Sequence, residues 1–279
     1  MLSMKKKIRR MTLVVLVVIF TASTFMLLRQ WKDNADGKTA YEEAIKTAMH
    51  SKPKKDEISE TTPEQLVSME EKESVWVPAA VEDDPVMEQM AQINVDALRQ
   101  INEDVLGWIR IPDTQIDYPL VRGEDNDFYL RHTWEKTENS VGSIFLECLN
   151  KADMTDFNTI IYGHNMKNNT MFGDLENYSL TQYWKTHPYV YIALDSGVYR
   201  YEIFSFSRAS VESITYGLEF QRDQTKEKFL KNAADQSWID TGITPAVTDR
   251  VITLSTCSGG DYSSRYVVQA RLPMVEITQ

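Results

Sequence analysis

Cysteine and histidine are scarce in this chain of 279 residues, which carries 2 of the first and 4 of the second. Two cysteines cannot build the disulfide framework of a small exported scaffold. No His or Cys pair stands at a chelating spacing, which excludes a structural zinc site. Asp153, Asp156 and Glu147 are the nearest approach to a calcium set, but acidic loops of this kind usually just stay solvated. No metal and no cofactor are therefore expected. Positive charge is short as well: 30 Lys and Arg stand against 41 Asp and Glu, a net charge of −11. Nucleic-acid binding needs a basic surface, so that function class is disfavoured. No internal repeat is visible.

What the chain does have is one long uncharged run. Lys5-Lys6-Lys7-Ile8-Arg9-Arg10 is followed by residues 11–28, which carry no charge. About 18 such residues suffice to span a bilayer as a helix. The basic flank stays cytoplasmic, which sends the remaining chain outward. A cleaved signal peptide is the rival reading, with Ala22-Ser23-Thr24 as the cleavage point. The apolar run continues through Leu28, longer than a usual signal core, and this favours an uncleaved anchor. The expected organisation is a cytoplasmic segment over 1–10, a transmembrane anchor over 11–28, an acidic stalk or linker over 29–84 and a globular domain over 85–279.

The stalk assignment rests on composition. Lys52-Pro53-Lys54-Lys55, Glu70-Glu71-Lys72-Glu73 and Glu82-Asp83-Asp84-Pro85 bury little apolar area. Val75-Trp76-Val77-Pro78 is an apolar island that docks on the domain in this reading. Beyond Pro85, Val86, Met90, Ile93, Ala97 and Ile101 recur at helical spacing and predict a helix over 86–104. Short β-type runs follow at 108–112, 116–121, 142–146, 158–162, 189–194, 198–207, 250–254 and 266–272. Thr225 to Trp238 interrupts them as a helix, with Asp223 or Thr225 as N-cap. Many short strands with few helices predict a mainly β fold, a barrel or sandwich.

Chemistry concentrates at two strand ends. Thr253-Leu254-Ser255-Thr256-Cys257 ends one apolar strand, and Arg265 opens the next. The thiolate is the attacking species, and a fixed positive charge nearby stabilises it. A base is then required. His50 lies in the stalk, His132 in a polar loop, and His187 precedes Pro188 at a strand entry. His164 follows a strand directly in Tyr162-Gly163-His164-Asn165, where a rigid scaffold can present a catalytic group. Ser255 and Tyr162 lie two residues before Cys257 and His164, and so share their strand faces as candidate substrate-binding residues. Asp261 could orient His164, but its loop Ser258-Gly259-Gly260-Asp261 is too flexible to carry that assignment. Cys148 reads as a small residue at a strand end.

These motifs resemble sortases, the cysteine transpeptidases of Gram-positive cell surfaces. Thr253 to Cys257 is similar to their TLxTC signature. Asn158 to Asn165, Met171-Phe172-Gly173-Asp174-Leu175 and Gly107-Trp108-Ile109-Arg110-Ile111-Pro112 resemble class B members, and so does the helix over 225–238. The resemblance covers about residues 86–275. It implies a closed sortase-type β-barrel with an N-terminal helix, with Cys257 as nucleophile, His164 as acid/base and Arg265 as the oxyanion-stabilising arginine. Asn126 and Leu130 are spaced like a substrate-contacting pair of class B, with a helix turn and a core leucine as the structural alternative. The implied substrates are secreted proteins bearing a C-terminal sorting signal of Asn-Pro-x-Thr type. The implied acceptor is a peptidoglycan-precursor amine, with a pilin lysine, hydrolysis to water, or a non-enzymatic adhesin domain as alternatives.

Overall fold

A computed structural model describes residues 2–50, 74–257 and 263–278, with side chains described over 10–49, 75–256 and 263–277. The charged segments at 52–55 and 70–73 and the loop bearing Asp261 lie outside the described residues. Helix α1 runs unbroken from Leu2 to His50, roughly 70 Å at the usual rise. None of its apolar stretch, with a mean hydropathy of 2.5, is buried in the protein. One N-terminal helix is thus long and apolar enough to cross a membrane.

The second half of α1 behaves differently from the expected stalk. Gly37, Ala40, Tyr41, Ala44 and Ala48 recur at three- and four-residue spacing and are buried against the domain. Small residues let the backbones approach closely: a Cβ on Gly37 would stand 3.0 Å from Val141 Cγ2. Tyr41 donates from its hydroxyl to the Gly142 carbonyl at 2.6 Å, and Trp134 Nε1 donates to the Ala40 carbonyl at 3.0 Å. The stripe is weakly hydrophobic and interrupted by charge, which is why composition reads it as a linker. Tertiary contact, not composition, makes it part of the domain.

The predicted helix over 86–104 is two short helices, α2 (Pro85–Met90) and α3 (Val95–Arg99). Two N-caps divide it. Asp84 accepts from the Val86 and Met87 amides, and Asn94 accepts from the Ala97 amide. The Asn94 amide donates to the Ala48 carbonyl, tying the break to the end of α1. The break shifts the buried face, so Val95 and Leu98 are covered while Ile101 is 52% exposed.

The expected barrel is present and closed. Its strands are β2 (Val105–Arg110), β3 (Asp117–Val121), β4 (Ile144–Leu146), β5 (Asn158–Tyr162), β6 (Tyr189–Leu194), β7 (Gly197–Ser210), β8 (Arg250–Cys257) and β9 (Ser264–Leu272). They are joined in the order β2-β3-β4-β5-β8-β9-β7-β6, and β6 returns to β2. Two neighbouring pairs, β3 with β4 and β5 with β8, are parallel. Val75-Trp76-Val77 does dock, as strand β1 (Ser74–Pro78) paired with the final strand β10 (Met274–Thr278) in a separate two-stranded sheet.

Helix α4 (Thr181–Thr186) precedes β6 and had no clear apolar signal. Helix α5 (Asp223–Gln236) covers β7, burying Phe229, Leu230 and Ala233 against Phe204 and Val251. Each large apolar side chain so buried contributes about 1.5–3 kcal/mol. Its N-cap is Arg222, not Asp223 or Thr225, and no side chain caps it. Trp238 falls beyond the helix end, where its amide donates to the Phe206 carbonyl at 2.7 Å.

Candidate active site

Strand register brings the three predicted residues to one end of the barrel. In the parallel β5–β8 pair, Tyr162 lies opposite Ser255. Two further residues along each chain lead to His164 and to Cys257, so both leave the same edge of the sheet. The Gly163 amide still donates to the Ser255 carbonyl at 3.2 Å, which holds the chain together at this point. In the antiparallel β8–β9 pair, Cys257 and Arg265 are direct partners. A hairpin therefore sets thiol-bearing and guanidinium-bearing residues opposite one another. The Cys257 side chain itself lies outside the described atoms.

The His164 ring is oriented by backbone. Its Nε2 stands 2.7 Å from the Leu130 carbonyl oxygen. A carbonyl only accepts, so Nε2 carries a hydrogen. Gly142 makes the fit possible. It has φ +64°, and a Cβ there would come within 2.9 Å of His164 Cδ2 and 2.8 Å of the Tyr129 oxygen. Gly163 meets the expectation of a close approach, since a Cβ would lie 2.5 Å from Ile144 Cδ1. Arg265 is half-buried, and its Nη1 donates to the Ser264 carbonyl at 3.0 Å.

The four further residues singled out from sequence fall into three groupings. Ser255 is buried and shares a hydrogen bond of 2.8 Å with the Tyr216 hydroxyl. Leu130 ends a 3-10 turn, packs its side chain on the core and offers its carbonyl to His164. Asn126 and Tyr162 both bind Glu147, a carboxylate that the sequence offered only as part of a weak calcium-type set. Asn126 Nδ2 donates to Oε1 and Oε2, each at 2.8 Å, and the Tyr162 hydroxyl donates to Oε2 at 2.9 Å. Burial pushes the Glu147 carboxyl up, but bonds from Asn126, Tyr162, the Leu149 amide and Cys148 outweigh it and hold the group below its usual range. The sequence signal for this role was an acidic residue directly after the apolar strand Ile144–Leu146.

His164 opens onto a cleft of about 800 Å³ lined by Leu130, Arg131, Asn139 and Ser140. Met26, Arg29, Gln30 and Asp33 of α1 form the facing wall. Ser140 Oγ donates to Asp33 Oδ2 at 2.8 Å, and Asn139 Nδ2 to the Asp33 carbonyl at 2.9 Å, fastening that wall to the barrel. A cavity of about 870 Å³ near Trp76, Phe157, Phe220 and Arg250 lies at the opposite strand ends, away from His164. Among the described residues, no group of three His, Cys, Asp or Glu side chains is arranged to hold a metal ion.

Comparison with known proteins agrees with this geometry. The Sortase domain family matches residues 109–273. Sortase B of Listeria monocytogenes is 37% identical over 179 residues, covering 63% of this chain and 72% of the relative. The Staphylococcus aureus sortase B–substrate complex superposes with a TM-score of 0.62 at 30% identity, covering 69% of this chain and 91% of that one. Sortase B of B. anthracis in complex with AAEK1 gives a TM-score of 0.66 at 27% identity, covering 89% of this chain and all (100%) of that one.

Proposed function

The chain belongs to the sortase family as a class B-type cysteine transpeptidase, and from that premise we propose that Cys257, His164 and Arg265 carry the reaction. Cys257 attacks a backbone carbonyl in the C-terminal sorting signal of a secreted protein. The carbon–nitrogen bond breaks, and His164 gives its Nδ1 proton to the departing amine. The product is a thioester on Cys257. Arg265, charged at any relevant pH, stabilises the oxyanion that forms on the way in and on the way out. A second amine attacks the thioester, gives a proton back to His164 Nδ1, releases the thiolate and forms the new amide.

The observation that carries this reading is the register: β5 parallel to β8 and β8 antiparallel to β9 gather all three residues at one barrel end. The proposed acceptor is a peptidoglycan-precursor amine. In support, the α1 wall of the His164 cleft begins at Met26, inside the apolar run, and ends at Asp33. Asp33 is about 8 Å along the helix from Leu28. The site would then sit at the outer membrane surface, facing outward with the basic N-terminus inside.

The test incubates the full chain in detergent with sorting-motif peptides and a panel of amines. Mass spectrometry should detect a covalent adduct at Cys257 and an amide product with a cell-wall-type amine. Transfer to a pilin lysine peptide alone would reassign the acceptor, and release to water alone would make the protein an endopeptidase.

A further inference from the structure

We propose that Glu147 is a positioning residue for the sorting-signal subsite, fixing which hydrogen-bonding groups Asn126 and Tyr162 present to the bound peptide. This rests on the transpeptidase reading above and goes one layer deeper into the same site. Glu147 is 5% exposed, and a carboxylate is costly to bury unless it is fully bonded. It accepts from both neighbours named from sequence, from the Leu149 amide at 3.2 Å and from Cys148 Sγ at 3.4 Å.

The bond directions determine what remains for a substrate. The two carboxylate oxygens subtend about 45° at Asn126 Nδ2, whereas its two N–H bonds diverge by about 120°. One hydrogen therefore serves both oxygens, and the other points away from Glu147. Asn126 Oδ1 is already committed, accepting from the Cys148 amide at 2.9 Å. Asn126 thus cannot flip: its outward-facing group is a donor. Tyr162 gives its only hydrogen to Glu147, so its oxygen is left as an acceptor. Burial and the neighbouring carboxylate keep that phenol protonated. The pair offers one donor and one acceptor, the complement of a peptide amide.

Tyr162 connects this arrangement to the reaction centre. It lies opposite Phe145 on β4 and opposite Ser255 on β8, and two residues before His164. A neutral amide in place of Glu147 can donate to Tyr162 and reverse the polarity of its hydroxyl, while Asn126, still held by the Cys148 amide, loses one of its two acceptors. The reaction centre would remain, but the peptide would be held less well.

Steady-state cleavage of a sorting peptide by the full chain tests this with Glu147→Gln, Asn126→Ala and the double variant. The expected result is a fall of about tenfold in kcat/KM for Glu147→Gln, carried by KM. Acyl-enzyme should still accumulate at saturating peptide. The double variant should lose less than the sum of the two single losses, since Glu147 acts in part through Asn126. A fall in kcat at unchanged KM, or additive losses, would overturn the inference. Tyr162→Phe keeps the ring against Phe145 and removes only the hydroxyl, so it tests the same point if Glu147→Gln folds poorly. An unchanged KM there also overturns it. Absence of any acyl-enzyme in the unaltered protein would overturn the transpeptidase reading and this inference together, whereas a normal acyl-enzyme with an unaffected Glu147→Gln KM would remove this inference alone.

Discussion

The two cysteines end neighbouring parts of the same barrel, yet their surroundings are opposite. Cys148 follows β4 beside the Glu147 carboxylate. Burial pushes its thiol up, and the adjacent negative charge pushes in the same direction. Cys257 ends β8 with Arg265 as its cross-strand partner. One strand end suppresses the thiolate, and the other pairs its cysteine with a cationic residue. In the proposed mechanism, reactivity follows from which charge-bearing residue the sheet register pairs with a cysteine, not from cysteine content.

The largest effect should come from removing each sulfur in turn. Cys257→Ala is expected to abolish acyl-enzyme formation, while Cys148→Ala retains it within about twofold; residual peptide cleavage by Cys257→Ala would break the contrast. Arg265→Ala should lower kcat by about 10²–10³-fold, the usual cost of losing an oxyanion donor. Arg265→Lys should recover only part of that, because a point charge replaces a planar fork. A loss confined to KM would instead make Arg265 a substrate-binding group.

Alkylation of the folded protein reads the contrast directly. At pH 7 an iodoacetamide probe should modify Cys257 at least about tenfold faster than Cys148, checked by peptide mapping. A group whose pKa is raised releases its proton later as pH rises. Labelling of Cys148, followed in the Cys257→Ser protein, should therefore climb only above its usual 9.0. Equal rates at pH 7 would remove the case for an activated thiol. The smallest effect is expected from Glu147→Gln, which deletes the secondary cause of the Cys148 shift and leaves burial in place. Cys148 labelling should then rise about two- to threefold at pH 8.

Read without tertiary information, the chain already disclosed its barrel class, its family and the three strand-end residues. These features are local. Alternating apolar runs mark strands, TLSTC marks a strand end, and an uncharged run of membrane-spanning length needs no partner to be recognised. The region between anchor and barrel was read less well. Residues 33–48 are polar enough to pass for a linker, but a stripe of glycine and alanine packs them on the barrel. The helix over 86–104 was likewise legible by periodicity, and the caps at Asp84 and Asn94 divided it.

The sequence by itself determined which groups are available: one thiol ending an apolar strand, one histidine after a glycine, one arginine opening the next strand. Only the tertiary structure decided their company. Parallel pairing of β5 with β8 joins residues far apart in the chain, because hydrogen-bond register is a property of two strands and cannot be read from either alone. The same holds for Glu147, whose burial among Asn126, Tyr162 and Cys148 turns a residue that reads as solvated into the group that orients its neighbours.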